Sequence, residues 1–420
     1  MRLGHFQAKA VAFSRSQVCL QANLLFVKAR PCFRQSYRAM ATVNGHASTP
    51  DVKPLNDLFT GLPTTIFTVM TNLAIKHKTI NLGQGFPDEE GPDKMKQLVG
   101  AATTDQHNQY PPMFGIPELR QAVARHSKAY SGIDVQWDTE TLVTVGATEA
   151  IAASFLGILN EGDEVIMFDP MYDCYGSMAR RAGGIVKAVK LKVEYWSVDR
   201  THLQDAFSSK TKLVVVNTPH NPTGKVFSKE DLQFIADLCI QHNTYVLLDE
   251  VYEHLVFEGS QHVSLRSLPG MQERSIRISS AGKTFSFTAW KIGWVTGPSS
   301  LINAIAKAHQ FLVFTVPSNL QRAVAYGLDN ESSFFTTLGH SLEQKRTYLA
   351  QRLKKIGFNV LPAQGSYFLM ADFRPLLPEG SNEDDVGFCN RITVEAGVTA
   401  LPVSAFYVSP DPPRLLHAPL

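Results

Sequence analysis

Two short, uninterrupted apolar runs, residues 212–217 (KLVVVN) and 245–249 (YVLLD), bracket an amphipathic stretch at 231–242. No other feature constrains the fold as strongly. Runs that short and that rich in β-branched and aliphatic residues belong in strands buried on both faces, and such strands belong in parallel sheets covered by helices. The alternation recurs on either side. Residues 142–145 precede a helix-forming run at 147–159, residues 164–168 read as a strand ended by Asp169-Pro170, and 275–279 read as a shorter strand. This spacing predicts an α/β fold with a mostly parallel sheet and helices on both faces. After about Ser318 the pattern changes to a long helix at 342–356 and strands at 359–361, 367–371 and 398–401, which predicts a separate, smaller α+β lobe.

Four hundred and twenty residues are too many for one small core, so two lobes with extensions are expected. With 44% hydrophobic and 19% charged residues, the chain is neither disordered, collagenous nor a coiled coil. The net charge of +2 is unevenly placed. Residues 1–50 carry Arg2, Lys9, Arg15, Lys28, Arg30, Arg34 and Arg38 but no acid, so the rest of the chain is mildly acidic and offers no nucleic-acid surface. An acid-free, Arg-rich leader mixing Ser with bulky apolar residues predicts a transit peptide at 1–47, for the mitochondrion or otherwise a plastid. A start at Met40 would give a cytoplasmic form. Beyond the leader we expect an arm at 48–85 joining the small domain, a large domain at 86–318 and a small domain at 319–420. The five cysteines are scattered with no C-x-x-C pair, which predicts reduced thiols and no metal site. No apolar run reaches the roughly 18–20 residues needed to cross a bilayer.

In parallel α/β sheets, ligands bind at the carboxyl ends of the strands, and several polar signals fall there. Gly146-Ala147-Thr148 follows a strand and opens a helix, a place where free N–H groups can hold a phosphate. The string 217–224 (NTPHNPTG) follows the next strong strand, and Asp249-Glu250-Val251-Tyr252 ends YVLLD; Asp249 there is either a helix cap or a partly buried functional acid. Residues 279–286 (SSAGKTFS) admit three readings of Lys283. A P-loop needs a glycine where Arg277 stands. The S-x-x-K of penicillin-binding enzymes lacks its companion boxes. The third reading is a Schiff-base lysine with Ser280 and Lys291 as phosphate ligands.

These strings, together with 81–87 (NLGQGFP), 108–110 (NQY) and 169–175 (DPMYDCY), resemble the fold type I, pyridoxal-phosphate-dependent class I aminotransferases from about Thr64 to Val408. The resemblance is greatest to the kynurenine aminotransferase, glutamine transaminase K and cysteine-S-conjugate β-lyase group. It implies a large domain with a mostly parallel, seven-stranded type of sheet, a smaller α+β domain, and pyridoxal 5′-phosphate as cofactor. The substrates would be an amino acid of the kynurenine, glutamine, methionine or aromatic type and a 2-oxo acid, with β-lyase chemistry as a side activity. Lys283 would join the cofactor and move the substrate's Cα proton, and Asp249 would hold the pyridine nitrogen. Asn221 and Tyr252 would meet the ring oxygen, and Tyr172 would cover the ring face. Ala147, Thr148, Ser280, Lys291 and Tyr110 of a second subunit would hold the phosphate. Gly85 and Asn217 would lie near the substrate carboxylate, and Phe314 would line the partner's pocket, so a homodimer with shared sites is implied.

One departure stands out. The family carries a carboxylate-gripping arginine in an R-F-x-F string shortly after the segment matching 404–407 (SAFY), whereas this chain reads PPRLLHAPL over 412–420. Arg414 stands too early and outside any such string, so the role does not pass to it. The resemblance therefore implies a truncated small domain whose sheet lacks a strand, and cofactor binding with weak or absent turnover as the alternative to full activity.

Overall fold

The computed structural model describes residues 53–420 apart from Gln84, Pro87, Asp88, Gln106 and His107. The chain divides into two compact units, 1–57 and 58–420. The leader expected at 1–47 lies outside the described residues, and the elements below belong to the second unit.

A helix at Ile66–His77 leads into a two-residue strand, β1 (Ile80–Asn81). Eight further strands build the central sheet: β2 (Thr141–Val145), β3 (Glu164–Asp169), β4 (Ile185–Lys192), β5 (Ser197–Val198), β6 (Thr211–Asn217), β7 (Tyr245–Asp249), β8 (Ser275–Ser280) and β9 (Ile292–Thr296). In space they run β2-β9-β8-β7-β6-β3-β4-β5. The block from β4 to β8 is parallel, β9 is antiparallel to both neighbours, and β5 is a short antiparallel edge. The mostly parallel α/β architecture is thus present, and its physical cause is visible in β6. Leu213 and Val215 enter one apolar layer with Val165, Met167 and Leu247, under the helix Gly146–Ile158. Val214 and Val216 enter the other with Ile166, Val246 and Leu248, against Leu232 and Ile235 of the helix Lys229–Gln241. Each such side chain contributes roughly 1.5–3 kcal/mol by leaving water. Lysines at 187, 190 and 192 interrupt the apolar signal of β4, which is why the sequence reading passed over it.

The remaining strands are β10 (Asn359–Val360), β11 (Phe368–Asp372), β12 (Val398–Thr399), β13 (Leu401–Pro402) and β14 (Leu415–Pro419). Four of them form an antiparallel sheet in the order β10-β11-β14-β13, while β12 pairs in parallel with β1. Met70, on the helix Ile66–His77, shares a core with Phe388, Leu401 and Phe406. The long helix starts at Ser332 rather than 342 and ends at Lys355; its buried Phe335 and Leu338 face is masked in the sequence by Thr, Ser and Gly neighbours. The expectation of a sheet lacking a strand is corrected. β14 occupies the centre of that sheet, pairing Leu415–Pro419 with Phe368–Asp372 residue for residue, and all five of its residues are buried. Ladder hydrogen bonds use the main chain, so the strand forms without an arginine.

Beneath the carboxyl ends of β7 and β8 lies a closed polar network. Arg277 on β8 pairs with Glu250 at 2.5 Å and with Glu253, while Glu253 also accepts from Ser279 at 2.6 Å. Burial alone would push Glu253 upward, but the Arg277 guanidinium holds it far below the usual carboxylate range. His126 and His254 bond each other through their Nε2 atoms at 2.8 Å. These two rings and Glu253 bring ligand atoms within 4.8 Å of one another, yet the carboxylate is already engaged by a buried cation, so the cluster is a scaffold rather than a metal site. It anchors the turn that carries Asp249. Removing one partner would strand buried charge. Arg277→Met is therefore expected to lower the unfolding free energy by about 3–5 kcal/mol in urea denaturation; a loss below about 1 kcal/mol would show that the network is dispensable.

Candidate active site

The carboxyl ends of the parallel strands open into a cavity of about 1200 Å³. Ten of the residues singled out from sequence line it together: Gly85, Ala147, Thr148, Tyr172, Asn221, Asp249, Tyr252, Ser280, Lys283 and Lys291. Asn217, Tyr110 and Phe314 do not.

At one end the helix Gly146–Ile158 begins without a side-chain cap, leaving its first N–H groups facing the cavity. Gly146 adopts φ +71°, and a Cβ on Gly293 of β9 would lie 2.7 Å from its carbonyl carbon. Glycine at 293 thus allows β9 and the first helical turn to touch. Lys291 places its Nζ 3.1 Å from where a Cβ on Gly146 would sit. Ser280 accepts from Gly282 N–H at 3.1 Å and donates to the Ile292 carbonyl at 3.4 Å. The Ser280 hydroxyl is thus bonded to main chain both as acceptor and as donor. Free amides, a hydroxyl and an ammonium converging on one point make an anion cradle suited to a phosphate.

At the other end Asp249 is buried, and its Oδ2 accepts from the Tyr175 hydroxyl at 2.5 Å. Burial pushes the Asp249 carboxyl up to about 6, against the pull of Tyr175, the Val251 amide and Lys283. Asn217, expected beside a substrate carboxylate, serves the scaffold instead. Its Nδ2 donates to the Asp249 carbonyl at 2.8 Å and its Oδ1 accepts from Asn221 N–H at 2.6 Å, which ties both neighbours in place. The Asn221 side chain is oriented by that backbone bond into the cavity, where its buried Oδ1 has no partner. An orphaned polar atom of this kind fits a polar ligand group.

Between the two ends, Lys283 Nζ donates to the Tyr367 hydroxyl at 2.5 Å and to the Gly85 carbonyl at 3.3 Å. Tyr367 in turn donates to the same carbonyl at 2.6 Å. The Gly85 carbonyl is therefore occupied, leaving its N–H as the group able to meet a carboxylate. Tyr252 packs edge-to-face on Tyr367 at 5.4 Å, and burial drives its hydroxyl well above the usual phenol range. Tyr172 stands edge-to-face with Tyr175 at 5.6 Å. The sequence reading missed Tyr175 and Tyr367. Tyr175 lay inside the quoted DPMYDCY string, three positions from Tyr172, and that spacing on a helical turn was the available signal. Tyr367 lies 84 positions beyond Lys283, and nothing local marks it.

Among the described lining residues the cations are Lys283 and Lys291, with no arginine. Arg414 reaches only the Ser381 carbonyl, at 3.5 Å, and stays outside the cavity. Tyr110 and Phe314 pack edge-to-face at 5.5 Å on the surface, 81% and 45% exposed. An anion cradle, a carboxylate held by a phenol, an orphaned amide and an amine, all on one cavity, fit the donor set required by pyridoxal 5′-phosphate.

Comparison with known proteins agrees. Residues 77–416 match the family model for aminotransferase class I and II. The chain is 44% identical over 345 residues to the probable N-succinyldiaminopimelate aminotransferase DapC of Mycobacterium tuberculosis, covering 82% of this chain and 86% of that protein. It is 40% identical over 367 residues to kynurenine–oxoglutarate transaminase 1 of Mus musculus, covering 81% and 87%. The crystal structure of YbdL from Escherichia coli, a methionine aminotransferase, superposes with a TM-score of 0.83 at 38% identity, covering 88% of this chain and 95% of that one.

Asp249 also yields a stability prediction. Its folded value near 6 lies above the ordinary 3.8, so the folded state holds this proton more tightly than the unfolded chain. That contribution is complete below pH 3.8 and is lost as pH rises through about 6. Above that, the ionised carboxylate costs the cofactor-free protein on the order of 3 kcal/mol. Asp249→Asn, freed of cofactor, is expected to unfold at higher urea than the parent at pH 7.5, with the gap closing between pH 6 and 4. A gap independent of pH would refute this account.

Proposed function

The chain belongs to the class I and II aminotransferase family and uses pyridoxal 5′-phosphate, and on that premise we propose that it takes an amino group from an amino acid of the kynurenine, glutamine, methionine or aromatic type and passes it to a 2-oxo acid. The observation that carries this reading is the Lys283 amine facing the same cavity as Asp249 and the uncapped helix start. The substrate class is supported by Ile66, Phe67, Phe86, Met178 and Phe368 in the cavity lining, beside threonines and asparagines, with no guanidinium among the described lining residues to meet a side-chain carboxylate. The names of two relatives, for kynurenine and for methionine, point the same way, while that of the Mycobacterium tuberculosis relative points to N-succinyldiaminopimelate.

When bound, the cofactor supplies an electron sink that makes the substrate's Cα–H acidic. The chain's own residues do the rest. Lys283 would hold the cofactor covalently and, once released, would take and return the proton at Nζ. Asp249 would keep the ring nitrogen protonated through a charge-assisted hydrogen bond, and that cationic partner would offset the cost of its burial. Asn221 and Tyr252 would meet the ring oxygen and Tyr172 would cover the ring, while the Ala147 and Thr148 N–H groups with Ser280 and Lys291 would hold the phosphate. β-Elimination begins with loss of the same proton, so we place it as a side activity. The exposed Tyr110, Phe311 and Phe314 support a homodimer in which these aromatics complete the partner's site.

A second reading, cofactor binding without turnover, is favoured by the absence of arginine among the described lining residues. Purified protein with L-kynurenine and 2-oxoglutarate separates the two. Glutamate is expected to form, and Lys283→Ala to abolish it by roughly 10³-fold or more; a cofactor absorbance band without glutamate from any of the named amino acids would establish the second reading. We further propose that the basic leader directs the chain to mitochondria. Residues 1–47 fused to a fluorescent protein are expected to carry it there, and diffuse fluorescence would refute the assignment.

A further inference from the structure

The geometry points to Tyr367 as the residue that aims the Lys283 amine at the substrate. The inference rests on the reading of Lys283 as the proton-moving lysine and adds a residue to it. A tyrosine hydroxyl has one proton to give, and Tyr367 gives it to the Gly85 carbonyl at 2.6 Å. Toward Lys283, 2.5 Å away, the phenol oxygen can therefore act only as an acceptor. The amine has a second acceptor in the Gly85 carbonyl at 3.3 Å. A neutral amine carries two N–H groups and one lone pair. With both N–H groups directed to Tyr367 and Gly85, the lone pair has one direction left, away from them and into the cavity.

The arrangement is rigid. Tyr367 is buried, and its ring is wedged edge-to-face on Tyr252 at 5.4 Å and tilted on Phe368 at 4.5 Å. The hydroxyl is thus fixed by packing that does not involve the lysine. Tyr367 moves no proton itself; it is a positioning residue, and its hydroxyl spares the lysine the search for a productive orientation.

Tyr367→Phe removes one oxygen and keeps the ring. Borohydride reduction of the cofactor-loaded parent, followed by peptide mapping, tests the underlying reading: failure to find a pyridoxyl group on Lys283 would overturn that, whatever Tyr367 does. With that adduct present in both proteins, the variant is expected to lose kcat by about 10- to 100-fold with KM within threefold. The isotope effect with Cα-deuterated substrate should increase. In cofactor-free protein, acetylation of Lys283 by a soluble amine-acylating reagent, followed by mass spectrometry, should run several-fold slower in the variant because the lone pair is no longer aimed into the cavity. A variant with kcat, isotope effect and labelling rate all within twofold of the parent would overturn the proposal. So would a variant whose urea midpoint collapses, since the hydroxyl would then be structural.

Discussion

Hydrogen-bonded register across β6, β7 and β8 sets the geometry at the site. Asn217 pairs opposite Asp249, and Asp249 opposite Ile278, so the last residues of β6 and β7 and the Ile278 position of β8 stand in adjacent columns a strand spacing apart. Ser280 is then two residues beyond Ile278 and pairs with Gly293, next to the start of the helix Gly146–Ile158. A slip of one position anywhere in this ladder would turn Asp249 from the cavity into an apolar layer. Because β6 and β7 are aliphatic on both faces, the cost of such a slip lies in their polar ends, Asn217 and Asp249, which would lose their partners.

Buried charge is treated in two different ways on the two sides of the same turn. Glu250 and Glu253 are met by the Arg277 cation, although Glu250 Oε1 keeps no partner. Asp249, directly before them in the chain, receives only a phenol and an amide, and burial raises its carboxyl. Asn221 likewise keeps an unpartnered oxygen at the cavity. What separates the two sides is a buried cation: Arg277 neutralises the acids of the scaffold, whereas Asp249 has none bonded to it and suits a cationic, hydrogen-bonding ring.

The legible parts of the site were those carried by short contiguous strings at strand ends: NTPHNPTG after β6, the Asp249 turn after β7 and the Lys283 segment after β8. Each is local, and strand-end position is predictable from the apolar run before it. Asn217 shows the limit of that reading. Its place in the string suggested a ligand contact, but the fold ties its amide to the Asp249 carbonyl and the Asn221 amide. β14 shows another limit. An arginine absent from an expected string suggested a missing strand, whereas the main chain pairs with β11 whatever side chain it carries.

From sequence alone came the α/β class, most of the parallel strands and the strand-end segments that carry the site, which follow from hydrophobic period and turn chemistry. The roles of the amine, the acid and the phosphate-facing segments came from the resemblance those strings carry. Tertiary structure alone decided that Tyr367, on a segment of the smaller sheet, closes over Lys283, that Tyr175 holds Asp249, and that Arg277 neutralises the acids behind it. Such contacts join residues tens of positions apart. Their partners are chosen by how layers pack rather than by any local preference, so no window of sequence contains them.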